Sequence, residues 1–180
     1  MTRKGDILGD KLPHWVDADF AEQMHHEIAV QGHSLTTTRD TTILESALGR
    51  PQNAFYYGDT KNLFDIAALY TEAIAKNHPF IDANKRTAFL TAEIFLSRNG
   101  YTLDPKFSEK YVEALEAIAS GQMTYKELSQ LYEEAAIPYR HPNPQFVHIP
   151  SHGHEEQVEA EKAPQIPLKA GALLQSFECR

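Results

Sequence analysis

Two stretches with apolar residues at helical spacing flank one short loop, and that pairing limits the chain more than any other feature. From Asn62 to Asn77 the residues Leu63, Ile66, Ala67, Tyr70 and Ile74 recur at helical intervals, so the segment lays one stripe against a core. A second helix is predicted from about Asn84 to Arg98, with Ala88, Ala92, Phe95 and Leu96 on one side and Asn99-Gly100 supplying a left-handed stop. Most other signals are helical too. Asp17 to Val30 opens on acidic residues and closes at Gly32, and Thr36 to Asp40 reads as a turn. Thr42-Ile43-Leu44-Glu45 has capping-box spacing for a short helix through Leu48, which Gly49-Arg50-Pro51 is expected to stop. Asn53 to Tyr57, aromatic and extended in character, then reads as a short strand or flap before the turn at Gly58-Asp59. Tyr111, Val112, Leu115 and Ile118 mark a helix closed by Gly121. Thr124-Tyr125-Lys126-Glu127 is a second capping box, opening a helix with Leu128, Leu131 and Ala135 inward. The predicted fold class is all-α: a helical bundle with a short β-flap before the central helix pair.

A chain of 180 residues, 42% hydrophobic and 23% charged, supports one domain with a sizeable core. We place that domain at residues 1–138 and a Pro-rich, flexible C-terminal tail at 139–180, because Pro138, Pro142, Pro144, Pro150, Pro164 and Pro167 punctuate a polar stretch without a sustained period. Within the tail, Ala170 to Phe177 has the character of a short docking helix, and His141, His148, His152 and His154 predict adventitious nickel or zinc binding. A formal net charge of −8 argues against direct nucleic-acid binding, so any phosphate must meet a local basic cluster. Cys179 is the single cysteine, which excludes an intrachain disulfide and a cysteine-based zinc site. The charged N-terminus is not followed by an apolar core of secretory length, and no stretch reaches membrane-spanning length. A cytoplasmic location is expected.

The loop between the central helices concentrates reactive groups. His78-Pro79-Phe80-Ile81-Asp82-Ala83-Asn84-Lys85-Arg86 places a base, a carboxylate, an amide and two cations together. It feeds a helix N-terminus, where unpaired N–H groups and the macrodipole favour an anion and Lys85 and Arg86 add full charges. Asp82 precedes that anion site, and one carboxylate plus phosphate oxygens and waters is the usual way to hold magnesium. His78 supplies an imidazole that can take a proton from an attacking hydroxyl. These are the parts of phosphoryl-type transfer. The spacing alone leaves a second reading open, in which His78 caps a helix and Lys85-Arg86 is a solvated pair.

The segment His78 to Arg86 resembles the HxFxDANKR signature of the death-on-curing branch of the Fic/Doc family, whose Fic relatives carry HxFx(D/E)GNGRxxR. The likeness extends upstream through Leu44 to Asn53 and Leu63 to Ala68, and downstream to Phe95-Leu96 and Asn99-Gly100, covering roughly residues 20–135. It implies a Fic/Doc-type helical bundle in which His78 is the general base and Asp82 the magnesium-linked acid. Asn84, Lys85 and Arg86, with Ala83 in the same segment, are implied to bind the nucleotide, and Phe80 to anchor the loop from within. The catalytic set so implied is His78, Asp82, Asn84 and Arg86.

Two departures from the Fic pattern bear on the reaction. Ala83 and Lys85 stand where Fic enzymes have glycines that cradle phosphates, and Phe89 stands where a second arginine is found. In the death-on-curing branch the nucleotide binds reversed, so the resemblance implies ATP- and Mg2+-dependent phosphorylation of a protein Ser or Thr hydroxyl, with a translation elongation factor as target class. It also implies a toxin of a type II toxin–antitoxin system, silenced by an antitoxin helix in a groove. Thr41 to Ser46 and Ser129 to Glu134 only partly fit the inhibitory motif that some Fic enzymes carry, so control in trans is expected. The rivals are a nucleotidyltransferase adding AMP or UMP, and a catalytically silent interaction module. His25-His26, taken together with Asp82, raises a metal-hydrolase reading, but adjacent helical residues point about 100° apart, so surface histidines are expected. Phe55, Tyr56 and Tyr57 are assigned to the flap, and Arg39 and Arg50 are candidates to approach the site.

Overall fold

The computed structural model describes residues 2–7, 11–58 and 60–139. Their order is α1 (Ala18–Gln31), α2 (Thr41–Tyr57), α3 (Leu63–Asn77), α4 (Asn84–Arg98), β1 (Tyr101–Leu103), a 3-10 turn (Pro105–Phe107), α5 (Ser108–Ala119), α6 (Tyr125–Ala135) and β2 (Ala136–Pro138). The architecture is the helical bundle expected, with α3 as its axis. Helix α3 is buried from Leu63 through Ala75, because α2, α4, α5 and α6 all pack around it. Its two buried acids are paired, as burial of a charge demands. Asp65 accepts from Lys126 Nζ at 2.7 Å and Ser129 Oγ at 2.6 Å, and Glu72 accepts from Arg50 at 2.5 Å and Lys76 at 2.8 Å. Arg50 therefore serves the α2–α3 contact and does not line the candidate site.

The central pair and the helix caps follow the sequence closely. Asp17 caps α1 by accepting from Phe20 N, and Thr124 with Glu127 forms a complete capping box on α6. Helix α2 departs from expectation at both ends. Asp40, read as part of a turn, is its N-cap and accepts from Thr42 N at 2.8 Å, so the Thr42-Glu45 box is not used. The helix then runs through Pro51 and absorbs Asn53–Tyr57, which is helical and not a strand or flap. A mid-helix proline costs about 3 kcal/mol. Leu44, Ala47, Leu48, Pro51 and Phe55 are all buried on one face of α2, and each large apolar side chain so buried contributes about 1.5–3 kcal/mol. Packing wins over local propensity.

The β-structure lies elsewhere. Strands β1 and β2 pair antiparallel after the central helices, with Thr102 opposite Ile137. Before the central pair, the extended segment sits at Thr38, which bridges Phe80 of the motif loop. The tail assigned to 139–180, with its histidines, the Ala170–Phe177 segment and Cys179, lies outside the described residues apart from Tyr139. No helix among the described residues is long and apolar enough to cross a membrane.

Candidate active site

The loop between α3 and α4 begins and ends on backbone that L residues seldom adopt. His78, the C-cap of α3, has φ 49° and donates its N–H to Ile74 O; Ala83, the N-cap of α4, has φ 59°. Outliers of this kind cost about 1–3 kcal/mol each and persist only where the surroundings hold them. Three sets of contacts do so here. Phe80 is fully buried and its ring stacks on His25 with centroids 3.9 Å apart. The Asn84 amide donates to Phe80 O at 2.9 Å and accepts from Phe80 N at 3.0 Å, closing the loop on itself. From outside, Arg39 N donates to Pro79 O at 2.8 Å and Ile81 N donates to Thr37 O at 3.2 Å. Arg39 thus joins the site through its main chain.

Anchoring Phe80 turns the reactive groups outward. The His78 side chain is exposed at one wall of a cleft of about 680 Å³, and Asp82, Ala83, Asn84, Lys85 and Arg86 line the same cleft. Helix α5 supplies the facing wall through residues that include Val112, Leu115 and Glu116. No side chain caps α4, so its first N–H groups keep their anion-binding character. The Asp82 carboxyl is held below its ordinary pKa, first by the Ala83 N–H donating to Oδ1 at 2.6 Å, then by the Ser34 hydroxyl, with Arg86 adding charge. It is therefore a carboxylate at neutral pH, the form a hard cation needs. Arg86 Nη2 donates to Ser34 Oγ at 2.7 Å, and Lys85 forms an ion pair with Glu116 across the cleft.

Of the residues singled out from sequence, His78, Asp82, Ala83, Lys85 and Arg86 come together with the chemistry open. Asn84 is also at the cleft, but its amide is committed to the loop and its contribution to an anion is the N–H of the helix start. Asn84→Ala is expected to destabilise the fold by about 2 kcal/mol, because it strands the buried N–H and C=O of Phe80; urea denaturation measures this. Phe89 is core, with its ring 5.1 Å from that of Tyr111, so the position of the second Fic arginine faces inward.

Three residues were missed. His25 is not on the surface: it is 1% exposed, burial pushes its pKa down, and Nε2 lies 3.1 Å from Asp82 O. Its place with Ala21, Met24 and Ile28 on the buried stripe of α1 was the available signal. Ser34 meets Arg86 and Asp82 only through tertiary folding. Gly32 leaves room for Arg86, since a Cβ there would stand 2.0 Å from Nη1 and would displace the guanidinium from its present position. Among the described residues no cluster of three or more metal-ligating side chains occurs. A cation at Asp82 would have to complete its shell with phosphate oxygens and water.

A helical bundle that opposes an exposed imidazole to an uncapped, cation-bearing helix start defines a narrow structural class. The Fic/DOC family matches residues 15–96. Protein kinase doc of Escherichia phage P1 is 37% identical over 93 residues, spanning 51% of this chain and 74% of that protein. Toxin Doc of Mycolicibacterium smegmatis (strain ATCC 700084 / mc(2)155) is 40% identical over 78 residues, spanning 43% of this chain and 60% of that protein. The chain belongs to the Fic/DOC family.

Proposed function

We propose that the protein is a Doc-type toxin that transfers the terminal phosphate of ATP, with Mg2+, to a Ser or Thr hydroxyl of a cellular protein. The carrying observation is that His78 and the start of α4, with Asp82, Lys85 and Arg86, line one cleft. In this reading the hydroxyl oxygen bonds to the γ-phosphorus, and the bond from that phosphorus to the β–γ bridging oxygen breaks. The hydroxyl proton passes to a ring nitrogen of His78. Arg86, Lys85 and the α4 N–H groups bind the phosphates and offset the charge that develops on them. Asp82 would hold the magnesium ion, which when bound neutralises phosphate charge. Lys85 leaves Glu116 for the nucleotide at little cost, since exposed ion pairs contribute less than about 1 kcal/mol.

The names of the phage and mycobacterial relatives support the toxin and kinase parts of this reading. We propose a translation elongation factor as the target class, a cognate antitoxin docked in a groove as the silencing partner, and the cytoplasm as the place of action. The test is incubation of a bacterial lysate with γ-labelled ATP and either wild type or His78→Ala. A labelled protein band is expected with wild type and its loss with the variant. Labelling from the α-phosphate instead identifies a nucleotidyltransferase. Unchanged cell growth on expression of both forms identifies a silent interaction module.

A further inference from the structure

We propose that His25 is a positioning residue, which acts from the bundle interior by fixing the peptide unit that joins Asp82 to Ala83. The proposal rests on the phosphoryl-transfer reading above for what the positioning serves. His25 is buried on α1 with its ring parallel to Phe80, at an interplanar angle of 5°, and Nε2 lies 3.1 Å from the main-chain oxygen of Asp82. A carbonyl only accepts, so Nε2 carries the hydrogen and donates it.

The Asp82 carbonyl and the Ala83 N–H are the two ends of one rigid peptide plane. The Ala83 end is the group that donates to Asp82 Oδ1 at 2.6 Å. Holding the oxygen end from inside the core therefore sets the direction of the N–H that aims the carboxylate. The plane also leads into Ala83 at φ 59°, where an L residue would otherwise relax by rotation. Phenylalanine could stack on Phe80 and fill the space, but it has no donor for the carbonyl. The imidazole supplies both, and so couples a core contact to the metal-linked side chain, as residues behind metal ligands commonly do.

The experiment compares wild type, His25→Phe and His25→Gln. Phenylalanine keeps the stack and loses the donor; the glutamine amide restores a donor near the Nε2 position. Two quantities are read: the hydrogen-exchange rate of the Ala83 amide by NMR without nucleotide, and the Mg2+ concentration for half-maximal transfer of labelled γ-phosphate. In His25→Phe the amide is expected to exchange about tenfold faster and the Mg2+ requirement to rise about tenfold, within the range known for groups behind a metal ligand. His25→Gln is expected to recover most of both. Wild-type Ala83 exchange and wild-type Mg2+ dependence in His25→Phe would overturn the proposal. An inert wild type, with Ala83 still freed in His25→Phe, overturns the kinase reading while leaving His25 as the anchor of that peptide.

Discussion

His78→Ala is expected to lower the rate of phosphoryl transfer by about two to four orders of magnitude, the usual contribution of a general base, while leaving the fold in place. Both halves follow from the same placement. The imidazole is exposed at the cleft wall, so its removal opens no cavity. What His78 does for the fold it does through its backbone, whose N–H closes α3 on Ile74 O, and alanine keeps that group. Ala83 already shows that alanine can hold the left-handed conformation in this loop. Initial rates with labelled ATP give the first number and urea denaturation the second. A variant rate within threefold of wild type would remove His78 from the chemistry. A large loss of stability would instead assign it to the scaffold.

The second large effect is on stability and concerns Glu93, on the far turns of α4. It is 1% exposed; Oε1 accepts from Thr102 Oγ1 at 3.4 Å, and Oε2 has no partner among the described residues. Burial pushes its pKa from an ordinary 4.5 up to about 7. The folded pKa lies above the unfolded one, so the neutral carboxyl stabilises the fold fully below the unfolded value, and this contribution is lost as pH rises through about 7. The shift corresponds to about 3 kcal/mol. Glu93→Gln, which cannot ionise, is expected to be more stable than wild type by about that amount at alkaline pH, and nearly equal to it in mild acid. Urea titrations of both proteins across that range measure the difference directly, and the comparison cancels other titrating groups such as His25. Equal stability of the two proteins at both ends of the range would show that Glu93 is not held neutral by the core.

The contrast between these two acids, Asp82 below its ordinary pKa and Glu93 above it, explains how far the sequence could be read. Asp82 sits in a local motif, and the first of the groups that keep it ionised, the Ala83 N–H, belongs to the next residue along. Glu93 looked like any polar position on an amphipathic helix, and only the packing of α4 shows that no solvent reaches it. The same division runs through the fold. Periodicity and caps located the central helices to within a residue or two, since those signals are carried by neighbours in sequence. Pro51 misled because a local breaker was outweighed by the buried face of α2 against α3, and Asn53–Tyr57 went with it. His25, Gly32 and Ser34 touch the loop from more than forty positions away in the chain, as the 57-residue separation of His25 from Asp82 illustrates, and no local rule could join them.

The two left-handed residues that bracket the loop, His78 and Ala83, have a thermodynamic corollary. Neither is glycine, so neither swings freely, and the segment between them is tied to Asn84, His25 and the chain at Thr37 and Arg39. Whatever occupies the cleft meets a surface whose disorder was given up when the chain folded. Association there incurs little further loss of freedom in the loop backbone, so less of the interaction energy is consumed in ordering it.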